Sequence, residues 1–342
     1  MLDDLEGLVE AGYISRRKHP SLDLHILNYT PRTQYEGLWN DTTEQCRGLI
    51  VDGSGGVVSR CFRKFFNYEQ VRDEVALRLD AGVGFKAYDK LDGSLGISYW
   101  HGDRPRIATR GSFTSEQATR ANAMLDRDYP RVRLDPSLTY LFEIIYPENR
   151  ICVDYGADER LVLLGAIHTE SGEEVDPSGV PFPRPAHADV GSDFGSMASM
   201  NLSNREGYVI RFDDAFRFKV KFEDYVTLHS AIFSLSTRTI WDALRDGRDI
   251  PLDLMPDEVY EWARAVERGI RRDYAAIESR AMEIFEAIRH LDRKEFAASA
   301  LEYRCSTVLF RMLDGRPYAD QIWKMVEPEY RTPRHEEVHE DS

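Results

Sequence analysis

The run Phe216-Arg217-Phe218-Lys219-Val220-Lys221-Phe222 alternates between apolar and cationic side chains without exception. In an extended strand successive side chains point to opposite faces. Arg217, Lys219 and Lys221 therefore share one face, and Phe216, Phe218, Val220 and Phe222 share the other. Glu206 to Phe212 reads as its partner across an Asp213-Asp214 turn, making a β-hairpin. Cations on one sheet face repel each other unless an anion sits between them. A solvated basic face is the plain alternative for this strand taken alone.

A second hairpin lies upstream. Residues 85 to 100 are two β-like runs around the turn Leu91-Asp92-Gly93-Ser94. Lys90 stands at the mouth of that turn, and Gly93 lets another group approach the backbone closely. Further strands are expected around 22–29, 47–52, 106–110, 138–146 and 161–167, with a helix over 115–127. Arg47 and Lys64 read as surface charge on their own, although Lys64 precedes Phe65 and Phe66. Glu143 is the one charge in an apolar strand, where a carboxylate needs a partner or a task. Residues 171 to 205, rich in Gly, Pro and Ser, read as a long surface excursion with a short helix.

The character changes near residue 227. Val259, Trp262, Val266, Ile270, Tyr274, Ile277, Ala281, Ile284 and Ile288 recur at helical spacing after a start signal at Pro256-Asp257-Glu258. Asp292 with Glu295 resembles a capping box opening a helix that stops at Gly315. The expectation is an α+β chain. An antiparallel-sheet domain occupies residues 1–225, an all-α domain 226–330, and a disordered acidic tail 331–342.

A formal charge of −15 argues against a protein that coats nucleic acid nonspecifically, while leaving room for a local basic groove. Cys46, Cys61, Cys152 and Cys305 are scattered without metal or disulfide spacing and read as free thiols. No apolar run has the roughly 18 residues of a membrane span, and Met1 to Glu6 lacks a signal-peptide pattern. A cytoplasmic protein without a membrane partner is expected. Three motif-like strings mislead or are missing. His335-Glu336-Glu337-Val338-His339 matches a zinc-protease string but lies in the tail without an apolar face. Cys305 to Arg311 has phosphatase-loop spacing, yet the residues between read as helix core. A GK[ST] phosphate loop is missing.

The order of motifs is informative. Lys90-Leu91-Asp92-Gly93-Ser94 comes first, then Thr109-Arg110-Gly111-Ser112, the Glu143 strand, the buried strand 161–167, Glu206-Gly207-Tyr208-Val209 and Lys219-Val220-Lys221. This set resembles the covalent nucleotidyltransferases, and most specifically the bacteriophage-type RNA ligase 1 family. Cys46-Arg47-Gly48, Lys64-Phe65-Phe66-Asn67, Ser115-Glu116-Gln117-Ala118 and Tyr225-Val226-Thr227-Leu228-His229-Ser230 extend the resemblance over about 45–230.

The resemblance implies an antiparallel-sheet, ATP-grasp-like nucleotidyltransferase domain with its ATP cleft between sheets, and a helical RNA-specificity domain. It implies an ATP-dependent RNA ligase joining 3′-hydroxyl and 5′-phosphate ends through a lysyl-AMP intermediate, with magnesium or manganese. Nicked tRNA as substrate and RNA repair as role are carried over in the same way, as is a separate end-healing kinase-phosphatase partner. By resemblance Lys90 carries the AMP, and Lys219 and Lys221 assist catalysis and hold the α-phosphate. Arg47 and Lys64 hold the outer phosphates with Phe66 beside them. Glu143 contacts the ribose, and Leu164 and Val209 pack against adenine. Glu206 handles metal, and Gly93 and Arg110 complete the ATP site. The family often has Lys where Arg110 stands, and Arg cannot titrate in its place. Tyr29 is a candidate for an aromatic residue near the phosphates. Lysine must be deprotonated to attack, so nearby cations and burial are expected to lower the pKa of Lys90. Two alternatives remain open on the residues alone. One is a DNA ligase or capping-type enzyme, and the other an inactive nucleotide- or RNA-binding relative.

Overall fold

A computed structural model describes residues 4–177, 179–250 and 257–333. The chain divides into two compact units, with the division at Thr227 and Leu228. No helix among the described residues is long and apolar enough to cross a membrane.

The first unit holds three sheets. One is a meander of β1 (Ile14–Lys18), β2 (Leu24–Tyr29), β3 (Arg47–Asp52) and β4 (Val57–Ser59). The second orders β11 (Glu174–Val175), β10 (Arg160–His168), β9 (Leu138–Ile145), β7 (Ser94–His101) and β8 (Arg104–Thr109). The third orders β12 (His187–Ala188), β6 (Phe85–Lys90), β13 (Gly207–Phe212), β14 (Arg217–Lys221) and β5 (Phe66–Asn67). Ladders are antiparallel apart from β14 with β5, which run parallel.

Apolar alternation decides which faces close. Ile26 and Ile50 of the first sheet pack against Ile97, Leu141 and Ile167 of the second. The opposite face of the second sheet, with Phe142, Ile144 and Leu161, is covered by Ala121, Met124 and Leu125 of the helix Glu116–Asp128. In the third sheet Phe85 and Phe218 meet Phe194 at ring-centroid distances of 5.2 and 5.0 Å, and Phe212 lies 5.6 and 6.2 Å from Phe85 and Phe218 on the same side. The cationic face expected for β14 is thereby set opposite an aromatic core, with Phe218 and Val220 buried.

Three expectations need correction. Residues 14–18 form a strand that composition did not suggest, paired to β2 from Ile14–Tyr29 to Lys18–His25. The excursion 171–205 holds the expected short helix, Phe194–Met197, but is not only surface: it also contributes β11 and β12 and buries Phe182 and Phe194. The helix opened at Asp292, whose carboxylate accepts from the Lys294 and Glu295 amides, ends at Ala300; a second helix spans Ser306–Leu313. Cys305 sits buried at that break, as helix-core packing rather than a phosphate loop requires.

The second unit is helical, with the helices Thr237–Asp246, Asp257–Ile288, Arg293–Ala300, Ser306–Leu313 and Ala319–Met325. Its core includes Ala281, Ile284, Phe296, Val308 and Ile322. Pro256, the tail from 334 and the string at 335–339 lie outside the described residues.

Candidate active site

Lys90 ends β6, and the chain turns at once into β7. Two devices hold that turn. A Cβ on Gly93 would meet the Ile144 carbonyl oxygen at 2.6 Å, so only glycine fits; its N–H donates to Glu143 Oε1 at 2.9 Å. Asp92, 3% exposed, accepts from the Cys152 and Val153 amides at 2.7 and 2.9 Å through Oδ2. Its Oδ1 accepts from the Tyr225 hydroxyl at 2.7 Å, and its own N–H donates to the Tyr155 hydroxyl at 2.8 Å.

The hairpin β13–β14 brings the other charges alongside. Gly207 pairs with both Lys90 and Lys221 across the ladder. Its φ is +148°, and a Cβ there would overlap the Val220 carbonyl oxygen. Glycine at this point lets β13 close on β14 beside Glu206. Glu206, 2% exposed, bridges Lys90 Nζ and Lys221 Nζ at 2.8 Å each through its two oxygens. Burial alone would raise its pKa, but the two ammonium groups outweigh it and keep the carboxyl ionised.

The charge on Lys90 runs against expectation. Burial disfavours its ammonium form, yet Glu206 and Glu143 overcome burial and hold its pKa above the ordinary lysine value. Lys219 is the group that responds as expected of a crowded lysine. Burial, then the charges of Lys90, Lys64, Lys221 and Arg47, push it down to about 6. Glu143 is pushed up to about 7 by burial, against the pull of Lys90.

Further cations come from the first sheet, its following loop and the end of β8 in the second sheet. Arg47 Nη1 lies 3.1 Å from Cys61 Sγ, with its guanidinium 5.4 Å from the Phe65 ring. Lys64 Nζ lies 5.3, 5.0 and 5.5 Å from the rings of Tyr29, Trp39 and Phe66. Arg110 Nη1 lies 3.2 Å from the Tyr29 hydroxyl. Tyr29 is buried, which alone would raise its pKa; Arg110, Arg47 and Lys64 together lower it. Phe66 joins β14 at Phe218, and Asn67 joins it at Lys219. Val209 lies in register between Tyr88 and Lys219. Leu164 occupies the bulge of β10 and packs at the edge of the core shared by the first and second sheets.

The arrangement is therefore a lysine–carboxylate–lysine bridge flanked by cations from three sheets. Asp92, Tyr155, Tyr225 and Trp39 belong to it although sequence reasoning gave none of them a role. The first lay inside the quoted turn and the third inside a quoted string, but tertiary hydrogen bonds have no sequence period. For a divalent metal the fit is poor. Both Glu206 oxygens are engaged by ammonium groups, and the described residues contain no cluster of three or more His, Cys, Asp or Glu. A metal here would enter with a polyphosphate substrate, as part of it.

A lysine in such a turn, with an acid strand and a Lys-x-Lys strand beside it, is the arrangement expected from the resemblance to covalent nucleotidyltransferases. Residues 45–180 match the RNA ligase family model. A putative bifunctional polynucleotide kinase/RNA ligase of Autographa californica nuclear polyhedrosis virus is 24% identical over 253 residues, covering 66% of this chain and 36% of the viral protein. An RNA ligase of Rhodothermus phage RM378 is 22% identical, covering 91% of this chain and 89% of its own. A putative RNA ligase of Thermovibrio ammonificans is 30% identical over 124 residues, 34% of this chain and 32% of that protein. The chain thus spans about a third of the length of two of these relatives and most of the phage protein. Among solved structures, Naegleria gruberi RNA ligase with PPi aligns at a TM-score of 0.39 and 18% identity, over 49% of this chain and 57% of its own. The chain is thus similar to RNA ligases, with the family match confined to residues 45–180.

Proposed function

We propose that this chain is an ATP-dependent RNA ligase that joins RNA 3′-hydroxyl and 5′-phosphate ends, with Lys90 as its nucleophile. The observation that carries the reading is the bridge Lys90–Glu206–Lys221 beside Lys219 and the cations Arg47, Lys64 and Arg110. Lys90 Nζ attacks the α-phosphorus of ATP, a phosphoramide bond forms, and pyrophosphate leaves. The attacking amine must lose a proton, and Glu206 Oε2 at 2.8 Å stands where it can receive one. Arg47, Lys64 and Arg110 supply positive charge for the outer phosphates, and Lys219 and Lys221 for the α-phosphate. Magnesium or manganese belongs to this step as the metal of the ATP substrate. Glu143 faces the ribose, and Val209 and Leu164 flank adenine. The RNA 5′-phosphate then displaces Lys90 from AMP, and the RNA 3′-hydroxyl displaces AMP to seal the strand. The role in tRNA repair, the end-healing partner and the RNA-specificity role of the helical unit belong to the same proposal.

The test is covalent labelling. Purified protein with magnesium is given α-labelled ATP or GTP beside a Lys90→Ala variant, after stripping any AMP with pyrophosphate. Label from ATP on wild type alone supports the reading; label from GTP points to capping chemistry, and no label overturns it. Circularisation of 5′-phosphorylated RNA, DNA and a nicked tRNA then separates the substrates.

A further inference from the structure

Lys64 is housed unlike its neighbour. Arg63 pairs with Asp41 and Glu44 at 2.8 and 3.0 Å. Lys64, one residue on, is half-buried among three aromatic rings, and among the described residues no carboxylate pairs with it. Trp39 forms the wall of that box. Its ring meets Tyr29 at 5.1 Å and 87° and Phe66 at 5.6 Å and 80°, both edge-on. The backbone carrying it is held in turn. The Trp39 amide N–H donates to the Gly37 carbonyl at 2.9 Å. The next residue, Asn40, caps the helix Asp41–Gln45 in a reciprocal box with Thr43. Thr43 also donates to the Leu38 carbonyl at 2.9 Å.

An aromatic box does for a lysine what a carboxylate cannot. The ring faces attract the ammonium and fix its position. They offer no anion that an incoming phosphate would have to displace. A carboxylate partner would compete with the ligand for the same charge.

We infer that Trp39 is a positioning residue for the outer phosphates of the nucleotide, acting through Lys64. The inference rests on the proposed ATP site and adds a residue to it. Removing one wall of a cation–π box weakens the polyphosphate contact by about 5- to 30-fold, the range expected for a partly desolvated pair.

The experiment is calorimetry with inorganic pyrophosphate, and separately with AMP, on the full chain. Wild type, Trp39→Leu, Trp39→Phe, Lys64→Ala and the Leu–Ala double variant are compared. Expected is a 5- to 30-fold loss of pyrophosphate affinity in Trp39→Leu, with Trp39→Phe recovering most of it. AMP affinity moves less than about twofold. The double variant binds pyrophosphate no more weakly than Lys64→Ala alone. Losses that add, an equal loss toward AMP, or no loss at all would overturn the inference. The pyrophosphate readout does not depend on chemistry. Wild type that takes label from ATP while Trp39→Leu binds pyrophosphate normally would end this inference and leave the ligase proposal standing. Wild type that takes no label ends the ligase proposal by itself.

Discussion

Replacing Tyr225 by Phe tests what holds the Lys90 turn. Its hydroxyl donates to Asp92 Oδ1 at 2.7 Å inside a site where Asp92 is 3% exposed. Burial first, then the nearby Glu206 and Asp92 charges, raise the pKa of Tyr225, so it stays a donor at all working pH values. Tyr225→Phe leaves a buried carboxylate oxygen short of one bond. A hydrogen bond to a charged group contributes about 1.5–3 kcal/mol, and that is the expected cost. Tyr155→Phe is the internal comparison. It removes a neutral bond from the Asp92 amide, worth about 0.5–1.5 kcal/mol. The assay is urea unfolding followed by near-ultraviolet circular dichroism, with hydrogen exchange at the Cys152 and Val153 amides that donate to Asp92. Those amides should exchange faster in Tyr225→Phe. Because Asp92 lies between Lys90 and Gly93, lysyl-AMP formation should slow by about tenfold for ~1.4 kcal/mol of lost positioning. A cost under about 0.5 kcal/mol, or one no larger than that of Tyr155→Phe, would refute the claim that Asp92 is held by charge-assisted bonds.

Three other outcomes follow from the same geometry. Glu143 sits at about 7, above the usual carboxylate value, because it is buried. The folded chain therefore holds a proton that the unfolded chain releases, and this contribution, full below about pH 4.3, is lost as pH rises through 7. Glu143→Gln should gain stability relative to wild type between pH 5 and pH 8 in urea midpoints; a loss over that range contradicts the burial argument. Lys219, at about 6, is largely neutral at pH 7.5 and should regain its proton beside a bound polyphosphate. Calorimetry of ATP binding in buffers of different ionisation enthalpy should show uptake of up to about one proton, absent in Lys219→Met; equal heats in all buffers for wild type count against it. Gly207→Ala should cost at least about 3 kcal/mol and abolish labelling, since the backbone strain adds to overlap with Val220; an unchanged melting temperature would contradict this.

The long alternating hairpins were readable because one face of each is core. Period-two patterning assigned Phe218 and Val220 inward and Lys219 and Lys221 outward, as the structure has them. The strand Ile14–Lys18 escaped because it is an edge strand whose Arg16, Arg17 and Lys18 are exposed, leaving no alternation to detect. The excursion 171–205 escaped for a related reason. Its anchors are single long-range contacts: Glu174 to Arg211 and Arg217, the Ala186 carbonyl to the Asp89 amide, and Phe194 in the aromatic core. The sign of the Lys90 shift was misjudged from nearby cations and burial, without the carboxylates. Burial does disfavour its ammonium form, but Glu206 at 2.8 Å, together with Glu143, outweighs burial. Motif order located Lys90, Glu206, Lys219 and Lys221 together, whereas Trp39 and Tyr155 carried no pattern of their own.

The third sheet has one further consequence, for the order in which the chain can fold. Its strand β6 at residues 85–90 waits for β13 at 207–212, and β5 at 66–67 waits for β14 at 217–221. During synthesis the Lys90 strand therefore leaves the ribosome about 120 residues before its partner, or roughly 6–24 seconds ahead at ordinary elongation rates. Over that interval β7, β8 and β9 can already pair, while β6 offers an unpaired edge. Such distant pairings close slowly. A nascent chain halted before residue 207 should bind holding chaperones at β6, and one extended past residue 221 should release them.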